Sequence, residues 1–266
     1  MNRKQLSTIG LFSILFAILY FGFDTKPKKL ELIEKSRALK MNATDVSILR
    51  KEAFEQIGKS DKGKIQLLSA QLENAQDTTE QVFFLKELSG AWYKFGYPSI
   101  AGHYAEQVAE VENTDEAWGI AATTYVYGIG GPQSEKEKKF CKERAMNAFE
   151  VAISLDPDDL KHQINRAVLL ADHPDEDNPM KGIQLMLELN KNHPQNVSVL
   201  NHLAKFGMQT NQLDKALGRL QKVLGLEPEN ARANCLMAEL LQRKNDLASA
   251  EVYLNKCNTL RNTELN

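Results

Sequence analysis

The five histidines are the side chains of this chain best suited to acid–base or metal chemistry: His103, His162, His173, His193 and His202. No two of them are four residues apart, and none belongs to an HExxH motif, which places two zinc ligands on one face of a helix. No nucleophile elbow is present either. The residues of a catalytic triad can be far apart in sequence, so the absence of a motif leaves a triad open as an alternative. The sequence itself predicts no catalytic residue, no cofactor and no enzymatic activity.

The three cysteines are Cys141, Cys235 and Cys257. An odd, sparse set without a CxxC motif predicts neither a disulfide framework nor a zinc or redox site. Cys257 falls on an apolar helical stripe, and we interpret it as a small buried apolar residue.

Two loops have the composition of an ion site. Residues 172–177 contain one histidine and four carboxylates, but they lack the central glycine and the terminal glutamate of a calcium loop. Asn178 as a helix N-cap and Pro179 at the first helical position account for the end of this loop without a metal. Residues 128–133 are rich in glycine but lack the Gly-Lys-Ser/Thr ending of a phosphate loop, which predicts a turn.

Composition excludes one further class of function. The formal net charge is −2, and the lysines are scattered along the chain. A nucleic-acid-binding protein normally concentrates its positive charge on one face, so no nucleic-acid partner is expected.

The residues that would have to position any site belong to a repeat. A small residue recurs, with separations of 44, 37, 34 and 34 residues, at Ala101, Ala145, Gly182, Ala216 and Ala250. A helix-ending residue recurs with the same separations at Asn113, Pro157, Pro194, Pro228 and Asn262. In the last four repeats a bulky apolar residue follows the small residue by four positions, at Phe149, Met186, Leu220 and Leu254, which places both on one helical stripe. The spacing predicts stacked helix pairs that approach closely at the small residue.

The pattern is clearest over residues 195–262, where successive first helices carry Leu200, Leu203 and Ala204, then Asn234, Met237 and Ala238. This resembles the tetratricopeptide repeat, a pair of helices that recurs every 34 residues and stacks into a solenoid. The resemblance covers roughly residues 82–262. It implies an all-α, right-handed solenoid of helical hairpins whose concave face holds other polypeptides.

The predicted domains follow from these boundaries. Residues 1–29 are an anchor and short linker, residues 30–78 are capping helices, and residues 79–262 form the solenoid. Its five helix pairs lie near 79–113, 115–157, 158–194, 195–228 and 229–262. Within the cap, Leu30, Ile33, Ala38 and Met41 have helical spacing. In the second pair, Ser134 and Glu137 form a capping box that predicts a long helix over residues 135–155, whose first turns project past the stack.

Residues 6–23 are an apolar run of 18 residues without a charge. As a helix of about 1.5 Å per residue the run would span roughly 27 Å, close to the hydrocarbon thickness of a bilayer. A cleaved signal peptide is the alternative, but the run lacks an Ala-x-Ala type of cleavage site near its end. The sequence therefore predicts one transmembrane helix.

The orientation of that helix is set by its flanks. Arg3 and Lys4 favour export of the downstream chain, whereas Lys26, Lys28 and Lys29 favour its retention in the cytoplasm. Long domains cross membranes largely regardless of charge, so we predict a single-pass protein of the bacterial inner membrane with a periplasmic solenoid. The cytoplasmic side is the alternative. The Lys-Pro-Lys-Lys flank and residues 178–183 resemble anchored repeat proteins of Bacteroidota-type bacteria, which implies an envelope-facing scaffold.

Polar residues on the first helices predict a peptide-binding groove formed by Asn165, Asn201, Lys205 and Arg232. Side-chain amides can satisfy the backbone of an extended peptide, and the cations can bind its carboxylate. Ordinary solvated groove residues are the alternative interpretation.

The function expected is a membrane-anchored scaffold or assembly factor that binds a polypeptide. One alternative is a periplasmic chaperone-like adaptor for envelope secretion or cytochrome maturation, which would capture many unfolded clients. An enzyme is the alternative of another class. Self-association through the end repeats is a further expectation.

Overall fold

The computed structural model describes residues 43–264, with side chains from 46 to 263, as an all-α helical repeat. The predicted anchor at 6–23, the linker to residue 29 and the segment 30–42 lie outside the described residues. Within the described range no helix is both long and apolar enough to cross a membrane. The helices found in that range are α1 Ala43–Gln56, α2 Lys59–Glu73, α3 Thr78–Lys94, α4 Pro98–Glu112, α5 Asp115–Ile129, α6 Glu135–Leu155, α7 Leu160–Asp172, α8 Lys181–Asn192, α9 Val197–Gln209, α10 Leu213–Leu226, α11 Ala231–Arg243 and α12 Leu247–Glu264.

The chain packs as two compact units that divide between Asp156 and Pro157. Unit 1 contains α1 to α6, and unit 2 contains α7 to α12. In each unit the consecutive helices α3/α4, α5/α6, α7/α8, α9/α10 and α11/α12 pack against each other as hairpins. The spacing of small residues thus predicts the helical repeat correctly.

The core of unit 1 depends on close helix approach at small residues. Ala101 and Ala145, two of the repeating small residues, are fully buried. A side chain at Gly102 would place its Cβ only 2.5 Å from the ring of Tyr125, so α4 and α5 meet there through a glycine. Asp77 caps α3 by accepting a hydrogen bond from the Glu80 amide at 2.9 Å.

The long helix α6 begins and ends where the capping box predicts, and the Ser134 side chain accepts a hydrogen bond from the Glu137 amide. The expectation that its first turns project past the stack is wrong. Ser99 of α4 donates a hydrogen bond to the Glu137 carboxylate at 2.5 Å, and Phe140 and Cys141 are already buried. The first turns of α6 are therefore packed onto unit 1.

Unit 2 has two apolar clusters that meet at α9. Val199, Leu203 and Phe206 pack with α7 and α8. Leu200 and Ala204 belong to the second cluster, which α10 and α11 complete. Because α9 is apolar toward two neighbours, only a narrow polar strip of this helix is left for solvent.

The turns of unit 2 follow the same repeat. Asn211 and Asn245, 34 residues apart, adopt φ values of 58° and 61° in the loops of the α9/α10 and α11/α12 hairpins. Asparagine tolerates this left-handed conformation better than most residues. The acidic loop before α8 differs from its prediction, since α8 begins at Lys181 and its N-cap is Met180 rather than Asn178. Asn178 instead closes a turn by donating its amide to the Asp175 carbonyl at 3.2 Å.

The interpretation of Cys257 as an unpaired apolar residue is wrong. It is buried, but it forms a disulfide with Cys235 that joins α11 to α12. The free thiol is Cys141, which is buried in unit 1. The two paired cysteines lie on the two helices of one hairpin, which brings their Cα atoms to 4.9 Å.

Candidate functional site

A strip of charged and polar side chains follows the first helices of unit 2, and we call it the polar face. It consists of Asn165, Asp172, His202, Lys205 and Arg232, contributed by α7, α9 and α11. Each of these helices starts with an N-cap whose side chain accepts a backbone N–H: Asp159, Asn196 and Asn230. These N-caps fix the residue at which each helix begins. The apolar sides of α9 leave only its polar side chains for the strip.

Two contacts tie neighbouring hairpins across this face. The Lys205 ammonium on α9 lies 3.4 Å from each carboxylate oxygen of Asp172 at the end of α7. The Arg232 guanidinium on α11 donates to Nδ1 of His202 on α9 at 3.3 Å. The lysine and aspartate side chains are each about one-third exposed, at 35% and 32%. They remain within reach of a ligand.

The electrostatics keep His202 neutral. Partial burial, followed by the positive charges of Arg232 and Lys205, lowers the pKa of His202 from 6.5 to about 4, against the opposing effect of Asp172. A neutral imidazole can accept the Arg232 hydrogen bond. Burial also lowers the pKa of Arg232. At neutral pH the face thus carries two cations and one carboxylate, an excess of one positive charge.

There is open space beside this cluster. A cavity of about 760 Å³ lies at the turn that precedes α11 and is lined by residues 227–232. Arg232 belongs both to this lining and to the polar face.

The structure brings Lys205 and Arg232 together around His202, and Asn165 lies half-buried on α7, seven residues before Asp172. Asn201 does not face solvent. It is only 3% exposed, and its Nδ2 donates to Oδ1 of Asn230 at 3.2 Å, which joins α9 to the cap of α11. The amide of Asn201 therefore holds two hairpins together.

Two members of the face, His202 and Asp172, are not among the residues that the sequence analysis assigns to the peptide-binding groove. Helical spacing carried a signal for His202, since it precedes Lys205 by three residues and shares its side of the helix. Asp172 belongs to the loop interpreted above as capping, and its role depends on the position of Lys205 on another helix. Side chains that bind carboxylates are present here, and the arrangement suits recognition of an acidic group.

Residues 231–264, which form α11 and α12, match the tetratricopeptide repeat family. This confirms the resemblance for the last hairpin. No curated protein sequence matches the chain.

Solved structures of the protein MamA are similar to this chain. MamA from Desulfovibrio magneticus RS-1 is 17% identical with a TM-score of 0.45, over 71% of this chain and 98% of that one. MamA of strain MSR-1 is 18% identical with a TM-score of 0.40, over 69% and 98% of the two chains. MamA of strain AMB-1 is 17% identical with a TM-score of 0.39, over 68% and 92%.

Proposed function

We propose that this protein is a scaffold or assembly factor that binds a polypeptide partner on the polar face of unit 2. The observation that carries the proposal is the pair of contacts that Lys205 and Arg232 make across three successive hairpins. The fold supports it as well, because stacked helical hairpins present extended surfaces of this kind to other proteins.

The partner we propose carries a carboxylate, either an acidic side chain or a chain terminus. Such a group would accept hydrogen bonds from Lys205 and Arg232. These bonds would replace those that Lys205 now makes to Asp172 and that Arg232 makes to His202. Charge-assisted bonds of this type contribute about 1.5–3 kcal/mol when they are shielded from water. In the free protein the exposed lysine–aspartate pair contributes at most about 1 kcal/mol, so its exchange for a ligand costs little.

A substitution experiment tests the polar face. The full chain and a Lys205→Ala/Arg232→Ala variant would be compared for retention of one cross-linked partner from an envelope extract. A matched control is Lys191→Ala/Lys222→Ala, which removes two exposed cations from the second helices α8 and α10 of the same unit. Loss of the partner in the first variant alone is expected.

Equal retention by all three proteins would overturn the proposal. The number of species recovered separates a scaffold from a chaperone-like adaptor, because a scaffold retains one stoichiometric partner and an adaptor retains many. Light scattering on the purified chain, in a separate measurement, determines whether the chain self-associates.

We further propose that residues 6–23 anchor the protein in the bacterial inner membrane and that the helical repeat lies on the periplasmic side. The Cys235–Cys257 disulfide supports this side, because disulfides persist in the periplasm and are rare in the cytosol. Reporters fused to Asn266 test it. Active alkaline phosphatase and a dark cytoplasmic fluorophore are expected, and the reverse pattern would place the repeat in the cytoplasm.

A further inference from the structure

Four large apolar side chains are exposed on the first helices of the α3/α4 and α5/α6 hairpins of unit 1, and we call them the apolar face. Phe83 and Tyr93 lie on α3, and Ile120 and Tyr127 lie on α5, with exposed fractions between 46% and 64%. The rings of Tyr93 and Tyr127 contact each other edge to face, with centroids 5.6 Å apart. This contact joins the exposed sides of the two helices into one surface.

The apolar face has the same place in the repeat as the polar face of unit 2. Phe83 and Ile120 are each six residues after the N-cap of their helix, the position that Asn165 and His202 occupy in unit 2. The repeat therefore presents corresponding positions with different chemistry in the two units. An acidic group, which suits the polar face, finds no cation among the four side chains of the apolar face.

Two hydroxyl groups of this surface are left for a ligand. Thr123 and Thr124 lie between Ile120 and Tyr127 on α5, and their hydroxyls donate to the Ile120 carbonyl of their own helix at 3.0 Å and 2.7 Å. In the described part of the chain, no hydrogen bond holds the hydroxyl of Tyr93 or of Tyr127. Both phenols can therefore donate to a carbonyl group of a bound chain.

We propose that the apolar face binds an extended, proline-rich segment of a partner protein, with a lysine or arginine beside the prolines. Proline-rich chains adopt the polyproline II conformation and dock on surfaces lined by aromatic side chains. Such a chain makes no internal hydrogen bonds, so its carbonyl groups are available to the two phenols. Rings and donors are both required for this binding, and Tyr93 and Tyr127 supply both.

The dimensions of the face fit this occupant. Ile120 and Tyr127 are two helical turns apart, which is roughly 10.5 Å along the axis of α5. In polyproline II, three residues advance about 9 Å. In a segment that runs along α5, prolines three positions apart would therefore contact Ile120 and Tyr127 in turn, and the ring of Tyr93 adds to the second contact.

Charge selects the residue beside the prolines. Glu116 is exposed and precedes Ile120 by one turn, on the same side of α5. Among the residues that the structure describes, none forms an ion pair with its carboxylate. A lysine or arginine of the partner can pair with Glu116 at the edge of the apolar face. A basic proline-rich segment is therefore favoured over an acidic one.

Fluorescence anisotropy with the full chain in detergent tests this binding. The probe is a fluorescein-labelled peptide of three Pro-Pro-Pro-Lys repeats, and a peptide of three Gly-Ser-Gly-Lys repeats has the same length and charge. The proline-rich peptide should bind more tightly. Tyr93→Ala/Tyr127→Ala should weaken its binding tenfold or more, because both rings and both donors are lost. Tyr93→Phe/Tyr127→Phe should weaken it less, since the rings remain.

The role of Glu116 is tested with the same probe. Glu116→Gln should lower the affinity a few-fold and make it less dependent on salt, because the exposed ion pair with the peptide lysine is lost. A matched control is Ile48→Ala/Leu67→Ala, which removes two other exposed apolar side chains of unit 1 and should bind the probe as the unchanged chain does. Circular dichroism confirms that each variant keeps its helical content.

The proposal does not depend on the polar face of unit 2, so Lys205→Ala/Arg232→Ala should also leave the affinity for the probe unchanged. Equal affinity for the two peptides would overturn the proposal. A Tyr93→Ala/Tyr127→Ala variant that binds as tightly as the unchanged chain would overturn it as well. Loss of binding in the Lys205→Ala/Arg232→Ala variant would move the probe to the polar face, with the same consequence.

Discussion

The carboxylate of Glu106 on α4 and the guanidinium of Arg144 on α6 lie 3.1 Å apart in the core of unit 1, where each side chain is at most 4% exposed. Glu106 also accepts a hydrogen bond from the Tyr125 hydroxyl of α5 at 2.8 Å. Burial, and then the negative charge of Glu106, raise the pKa of Tyr125 well above its ordinary value, so the phenol remains a donor. One carboxylate thus connects three helices.

Removing one partner of this pair should be costly. Arg144→Met leaves a buried carboxylate without its cation, and we expect the free energy of unfolding to fall by about 3–5 kcal/mol. The double variant Glu106→Gln/Arg144→Met should recover part of that loss, because no buried charge remains. Urea denaturation measures both. Lys86→Ala is the control, since it breaks an exposed ion pair with Glu112 and should cost less than about 1 kcal/mol. Equal losses for Arg144→Met and Lys86→Ala would contradict the expectation.

The contact between Gly102 and Tyr125 yields a second prediction. Gly102→Ala would place a methyl group 2.5 Å from the tyrosine ring, and overpacking of this kind costs about 1–3 kcal/mol. Gly90→Ala is the matched control in the helical interior of α3, because nothing lies within 4 Å of its added Cβ. It should stabilise unit 1 by about 0.5–1 kcal/mol. The midpoint temperatures of thermal unfolding of the two variants should therefore shift in opposite directions. Shifts of the same sign would contradict the close contact between Gly102 and Tyr125.

The helical repeat could be predicted because its signal is local. A small residue is needed wherever two helix backbones approach, and Ala101, Ala145 and Ala216 are fully buried as their spacing predicts. The long helix α6 could be bounded for the same reason, since its cap involves only Ser134 and its near neighbours. The packing of the first turns of α6 could not, because it depends on Ser99 of another helix.

The candidate site could be predicted only in part. Lys205 and Arg232 were identifiable as polar residues of the first helices. The inward position of Asn201 was not, because it results from a hydrogen bond to Asn230 in the next hairpin. The disulfide was missed for a related reason. A separation of 22 residues does not say whether two side chains face each other across a hairpin.

The disulfide supplies a third prediction. Replacing Cys235 and Cys257 by serine should lower the free energy of unfolding of unit 2 by about 2–4 kcal/mol, because the unfolded chain is no longer restrained across the hairpin. A reductant should produce a similar loss in the unchanged protein and no further loss in the double variant. Urea denaturation with and without dithiothreitol measures both effects. If dithiothreitol leaves the urea denaturation of the unchanged protein the same, and three free thiols are found in the unfolded chain, the disulfide does not form.

The lowered pKa of His202 predicts how unit 2 responds to acid. In the folded chain this pKa is about 4, against 6.5 for an ordinary histidine, because burial and then Arg232 and Lys205 disfavour the imidazolium. Above pH 6.5 the imidazole is neutral in both the folded and the unfolded chain, so its titration does not change the free energy of unfolding. Between pH 6.5 and about 4 the unfolded chain binds a proton that the folded chain does not, so stability is lost as the pH falls.

His202→Gln keeps an acceptor for Arg232 but cannot titrate, and the carboxylates of the two proteins are the same. The urea midpoint should therefore drop further between pH 7.5 and pH 5 in the unchanged protein than in the variant. Parallel drops, or an imidazole carbon resonance that titrates near pH 6.5, would contradict the position of His202 between the two cations.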